Sequence, residues 1–243
     1  MSPMLTIAKR ELRSYFDSAI AYVVISLSLL ALGALFFMFR GGFWQVDRAT
    51  MQAMFDYLPV GLLPLVVPVV TMRLLAEEKR SGTLEMLITL PVKDSDVILG
   101  KYFGALALVL LIVSSTLAYP LAMFKIWKLG VLDWGPVFAG YLGLVLLSAA
   151  AVALGLLVSA IAESQMIALF VTILLLVGLY FVGDMATLMT GSASAVIEAV
   201  SFRARSQDFG RGLVSTRDVV FFLSVTALAL AVAFRALERR KWA

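Results

Sequence analysis

Residues 74–87 read LLAEEKRSGTLEML, and they place Glu77, Glu78, Lys79, Arg80 and Glu85 in a chain that is 62% hydrophobic and only 15% charged. A soluble domain carries about 25% charged residues. The mean hydropathy of +0.98 points instead to a protein that crosses a membrane several times. On one side of the charged stretch lies an apolar run at 58–75, on the other a run at 102–124. A helical span needs roughly 20 mostly apolar residues, so both runs qualify and the stretch between them is a loop.

Working outward, further apolar runs fall at 20–39, 136–162, 166–188 and 219–237, which predicts six spans in an all-α bundle. The run at 58–75 contains Pro59, Pro64 and Pro68. Proline inside a span is tolerated where neighbouring helices satisfy the freed carbonyls, so this span is expected to be kinked and packed against protein. Gly104, Gly140, Gly143, Gly155 and Gly178 are expected to allow close helix approach. Residues 4–18 do not span. Leu5, Ala8, Leu12, Tyr15 and Phe16 fall near one helical face and Lys9, Arg13 and Asp17 on another, the pattern of an interfacial elbow helix.

Lys and Arg near the span ends set orientation. With both termini in the cytoplasm, Lys9, Arg10, Arg13, Arg73, Lys79, Arg80, Lys93, Lys101, Arg235, Arg239, Arg240 and Lys241 fall inside. Eight of the 20 basic residues fall outside. The long loop at 76–101 is then cytoplasmic, as is a very short loop around Glu163, Ser164 and Gln165. The longest outer segment is 189–218.

Several chemistries are excluded. The chain has no Cys and no His, so disulfides, thiolate metal sites and a histidine general base are absent. With Met as its only soft ligand it offers no copper site of its own, and no metal or cofactor is expected in this chain. There is no Walker A pattern, so the chain is not expected to hydrolyse ATP. Basic residues are scattered between apolar runs rather than gathered on one face, which argues against nucleic acid. No span has a charge near its middle, which weighs against an ion-coupled secondary transporter. Asp184, near the outer end of the fifth span, is the clearest intramembrane ionisable residue.

Within the opening stretch the helix is expected to continue over 76–80 and to break at Ser81-Gly82. It restarts over 83–90 with Leu84, Leu87 and Ile88 on one face. Pro91 ends it, and Asp94-Ser95 caps the next helix. An apolar face in the cytosol needs a partner. The acidic residues disfavour an anionic membrane surface, leaving another protein.

Residues 54–106 closely resemble the permease subunits of ABC-2 type transporters, nearest the gliding-motility-type branch. The permeases of nitrous-oxide-reductase maturation form a sister group. The signature is carried by EEKRSGTLEMLITLPV at 77–92 with LGK at 99–101, and by SFRARSQDFGRGLVSTRDVVFFLS at 201–224. The resemblance covers essentially the whole chain. It implies a permease coupling ATP hydrolysis on a separate cytosolic ATPase, which holds ATP and Mg2+, to export or conformational work. It also implies a second permease chain, an auxiliary subunit with an extracytoplasmic domain, surrounding lipid, and a bacterial inner membrane. The coupling surface implied is Glu77, Glu78, Arg80, Gly82, Thr83, Leu84, Glu85 and Leu87, with Glu163 and Gln165 as a smaller second contact. Short outer helices bearing Phe202, Phe209, Arg211, Gly212 and Asp218 would close the exit. A module that transmits force to an extracytoplasmic partner, moving no substrate, fits the same features.

Overall fold

The structure, a computed structural model, describes residues 2–38, 51–82, 93–125, 133–186 and 192–239. All regular structure in these residues is helical. Helix α1 (Pro3–Phe16) starts with proline at its first position, where the missing N–H costs nothing. It is followed by α2 (Ala19–Met38), a 20-residue apolar helix about 30 Å long. The next rod is composite: α3 (Gln52–Gly61), a π-helical turn (Leu62–Val66), α4 (Val67–Thr71), an irregular turn at 72–75, and α5 (Ala76–Arg80). Then come α6 (Asp94–Ser115), α7 (Ala118–Lys125), α8 (Trp134–Ile161) and α9 (Gln165–Ala186). Two short helices, α10 (Ser192–Val200) and α11 (Phe202–Gly210), precede α12 (Thr216–Arg239).

Among the described residues, five rods are long and apolar enough to cross a membrane: Met54–Arg80, Asp94–Leu121, Trp134–Ile161, Gln165–Met185 and Thr216–Glu238. The apolar part of α2 adds a shorter stretch, Tyr22–Leu35. This is a multi-pass membrane protein. The second rod starts near residue 52 rather than 58, and the third starts at Asp94 rather than 102. The predicted 76–101 loop is therefore largely helix at both ends. Asp94 and Ser95 are not caps but lie in the first turn of α6, after Lys93 at the cap position, where acidic residues favour the helix dipole.

Helix α8 is central, packing against α4, α6, α9, α11 and α12. The packing uses small residues. A Cβ on Gly143 would lie 2.6 Å from Phe209, and one on Gly155 would lie 2.3 Å from Oγ1 of Thr71. Gly104 and Gly140 are equally close to neighbours, whereas Gly178 faces open space, so its expected packing role is corrected. The faces of α9 and α12 carrying Phe170, Leu174, Leu223 and Leu228 are exposed, as suits helices bathed in hydrocarbon.

Helix α1 packs along α6, with Gly100 against Ile7 and Gly104 against Glu11. The predicted apolar face holds at Tyr15, which is buried, and at Leu12 and Phe16, which pack on the core, while Lys9, Arg13 and Asp17 are exposed. Leu5, at 52% exposure, departs from it, and Ile7 and Glu11 also face the bundle. Counting apolar residues could not place Glu11 inward, because its carboxylate is there to meet a buried lysine.

Candidate functional site: the broken inner end of the second rod

The second rod breaks at 72–75, between α4 and α5. Pro68 lacks an N–H, and Leu74 N–H turns back to Thr71 O at 3.1 Å instead of reaching Val70 O. Four backbone groups thereby lose their helical partners: the carbonyls of Val70 and Met72 and the N–H groups of Leu75 and Ala76. Leu75 and Ala76 are fully buried, so their groups must be satisfied by protein.

Two side chains do this. The Tyr15 hydroxyl of α1 donates to Val70 O at 2.8 Å. The Ser159 hydroxyl of α8 accepts from Leu75 N and Ala76 N, both at 3.1 Å, and donates to Met72 O at 3.2 Å. Burial, with Glu11 adding, holds the Tyr15 phenol well above its ordinary pKa, so it remains a donor. Arg73 lies over the Tyr15 ring at 5.4 Å and pairs with Glu77 at 3.5 Å.

Past the break, α5 is tied on two further sides. Lys79 Nζ donates to the carbonyls of Ala160 and Ala162, where α8 ends and its last acceptors lack partners. Glu78 pairs with Lys101 of α6 at 2.7 Å. Ala76, Ala162 and Ala168 form a small apolar knot with Met72, which brings the ends of α5, α8 and α9 together.

The residues of the expected coupling surface thus divide. Glu77 and Arg80 are exposed on α5, while Glu78 is turned into the bundle. Gly82 adopts φ +71°, the left-handed conformation that favours glycine, and ends the stalk as expected. Thr83, Leu84, Glu85 and Leu87 lie outside the described residues. Glu163 is exposed in a short connection beside Ala162, and Gln165 is the first residue of α9, a helix capped by Ser164. The stalk α5 thus lies beside the connection at 162–164.

At the opposite ends of the rods, α11 is bound down by ion pairs. Arg205 pairs with Asp218 at 2.6 Å, donates to Ala199 O at 3.1 Å and lies 4.8 Å over Phe221. Arg203 pairs with Asp184 and lies over Phe181, so Asp184 anchors α11 to α9. Phe202 and Phe209 are fully buried against Phe222, and Gly212, at φ +88°, turns the chain against Pro136. Arg211 is exposed. Four of the five expected gate residues, Phe202, Phe209, Gly212 and Asp218, are thus brought together at this end of the bundle. Two polar clefts of about 380 and 390 Å³ flank the junction of α10 and α11, sharing Glu198 and Ala204.

Sequence reasoning missed Tyr15, Ser159, Glu11 and Arg205 as site residues. A serine in an apolar helix and a tyrosine on an amphipathic one carry no local signal. Lys101 stood in the LGK of the signature without any assigned role.

A bundle of apolar rods, one broken and stitched where its charged stretch begins, defines a multi-pass membrane protein. Residues 48–242 match the family described as ABC-2 family transporter protein, and the chain belongs to that family. It is a permease subunit of an ABC transporter, a role that implies partnership with an ABC ATPase subunit. No curated protein matches the chain.

Proposed function

We propose that this chain couples ATP hydrolysis on a separate cytosolic ATPase to work across the membrane, with the stalk α5 and the loop after Gly82 receiving the force. The observation that carries this is the stitched break at 72–75. A straight helix would pass a push along its own axis. Here α5 is separated from α4 and fastened by side chains to α8 and α6, and through Lys101 of α6 to Glu11 of α1, so displacement of α5 pulls on other elements. In this reading both termini and the connections at 81–93 and 162–164 are cytoplasmic, α2 is the sixth span, and ATP and Mg2+ sit on the ATPase. Two permease chains assemble in the inner membrane of a bacterium, the signature aligning with the gliding-motility-type branch, and an auxiliary extracytoplasmic subunit joins them.

The test is retention of a candidate partner ABC ATPase subunit when it and this chain are co-expressed and purified. Leu84→Asp and Leu87→Asp together are expected to abolish retention while the spans keep their native melting. Normal retention and normal nucleotide-dependent activity in that variant would show that the loop is not the docking element.

A second reading, force transmission to an extracytoplasmic partner with no substrate moved, draws on the outer end. Arg203–Asp184 and Arg205–Asp218 fasten α11 to α9 and α12, and Arg205 also holds Ala199 O of α10, so tilting of those rods would reach the outer surface as a shape change. ATPase stimulation by the partner's extracytoplasmic domain, with no lipid or lipopeptide exported from proteoliposomes, distinguishes it from transport.

A further inference from the structure

Lys101 belongs to an apolar rod, yet its side chain is only 4% exposed. Its ammonium lies between carboxylates from two other elements: Glu78 of α5 at 2.7 Å and Glu11 of α1 at 3.4 Å. Both carboxylates are themselves mostly shielded, at 19% and 16% exposure. Burying such a group costs desolvation that its ion pairs only partly offset, and an apolar side chain of similar volume often serves stability as well. What charges provide that an apolar residue does not is a defined register between the elements they join.

Two of those elements need no help to stay together. Helix α1 lies on α6 along Gly100 and Gly104, where a Cβ would come within 2.7 Å of Ile7 and Glu11, respectively. Lys101 is set between these two points of closest approach. The third element, α5, is different. It has five residues and is hinged at both ends, by the break at 72–75 and by Gly82. Ser159 and Lys79 tie it to α8, and Lys101 ties it to the α1–α6 pair.

We propose that Lys101 is a positioning residue. It makes the elbow helix α1, the rod α6 and the stalk α5 move as one body, so that force arriving at the coupling loop is shared with α1. This rests on the coupling function proposed above.

The chain has no cysteine, so spin labels on Arg10→Cys of α1 and Arg80→Cys of α5, both exposed positions, report that distance directly in lipid nanodiscs. The native triad is expected to give a single narrow distance peak. Glu11→Gln, Glu78→Gln and Lys101→Met combined removes all three charges and leaves no stranded ion. It is expected to keep native melting but to lose the narrow peak. In the ATPase complex it is also expected to lose the label shift that ATP with vanadate produces. Lys101→Arg, which keeps the bridging charge, is expected to restore both. Should the combined variant not fold, Glu78→Gln alone releases only α5 and is expected to lose the same peak. An unchanged narrow peak in either variant would overturn the proposal, since packing would then position α5 unaided. If instead the native chain retains no ATPase, the coupling reading fails, while the distance distribution still decides the role of Lys101.

Discussion

Ser159→Ala tests the stitched break most directly. The variant removes one oxygen and leaves the helix propensity of α8 undiminished, since alanine is the better helix former. It strands Leu75 N–H and Ala76 N–H, both fully buried, and removes the donor to Met72 O. A buried donor left unsatisfied costs about 1–3 kcal/mol, so two place the loss at about 2–6 kcal/mol. The helix could recover only by closing the break, with Leu75 donating to Thr71 O and Ala76 to Met72 O. That rotates α5 and pulls Glu78 from Lys101 and Lys79 from the α8 carbonyls, so the loss is moved rather than avoided. Hydrogen exchange over 72–80 in nanodiscs reads the effect locally. A loss of 2 kcal/mol corresponds to about 30-fold faster exchange, since each 1.4 kcal/mol is a factor of about ten. Ser159→Cys, retaining a weak acceptor, is expected to fall between native and alanine. Native exchange and native melting in Ser159→Ala would refute the account and show that the break is not held by α8.

Gly155→Ala is expected to destabilise by about 1–3 kcal/mol, because its Cβ would meet Thr71 Oγ1 at 2.3 Å and that threonine is held by its bond to Val67 O; thermal melting checks it. Arg205→Met is expected to cost about 3–5 kcal/mol by leaving Asp218 buried and unpaired, and Asp218→Leu in the same chain is expected to recover most of that in the same melting assay. Tyr15→Phe orphans Val70 O and is expected to lower stability at neutral pH by about 1–3 kcal/mol. The folded phenol has the higher pKa, so the native chain binds more protons than the unfolded one as pH rises past about 10, and its advantage over Tyr15→Phe shrinks there. Melting of both proteins from pH 7 to 11 measures the convergence.

The features readable from residue order were those set by periodicity and by the membrane. Apolar runs of span length need no tertiary information, because an unsatisfied backbone in hydrocarbon leaves helices as the available solution. Ser81-Gly82 was legible as a break because positive φ favours glycine, and Gly82 has it. Pro59, Pro64 and Pro68 announced an irregular rod, and a π-helical turn and a break are what it contains. Boundaries were legible less well. Asp94 read as a loop residue because hydropathy sees charge, whereas α6 extends two turns beyond the apolar run with Lys101 inside it.

The sequence by itself determined the class of this protein: a multi-pass helical chain whose charged stretch at 77–92 lies between two spans. Local composition and lipid suffice for that, since each rod must satisfy its own backbone. Only the tertiary structure decided which polar residues matter. Tyr15 is 55 positions from the carbonyl it serves, and Ser159 is 84 and 83 positions from the amides it caps. Lys101 is 90 positions from Glu11. No local pattern links such residues, because the groups they satisfy become orphans only once the rod has broken and packed.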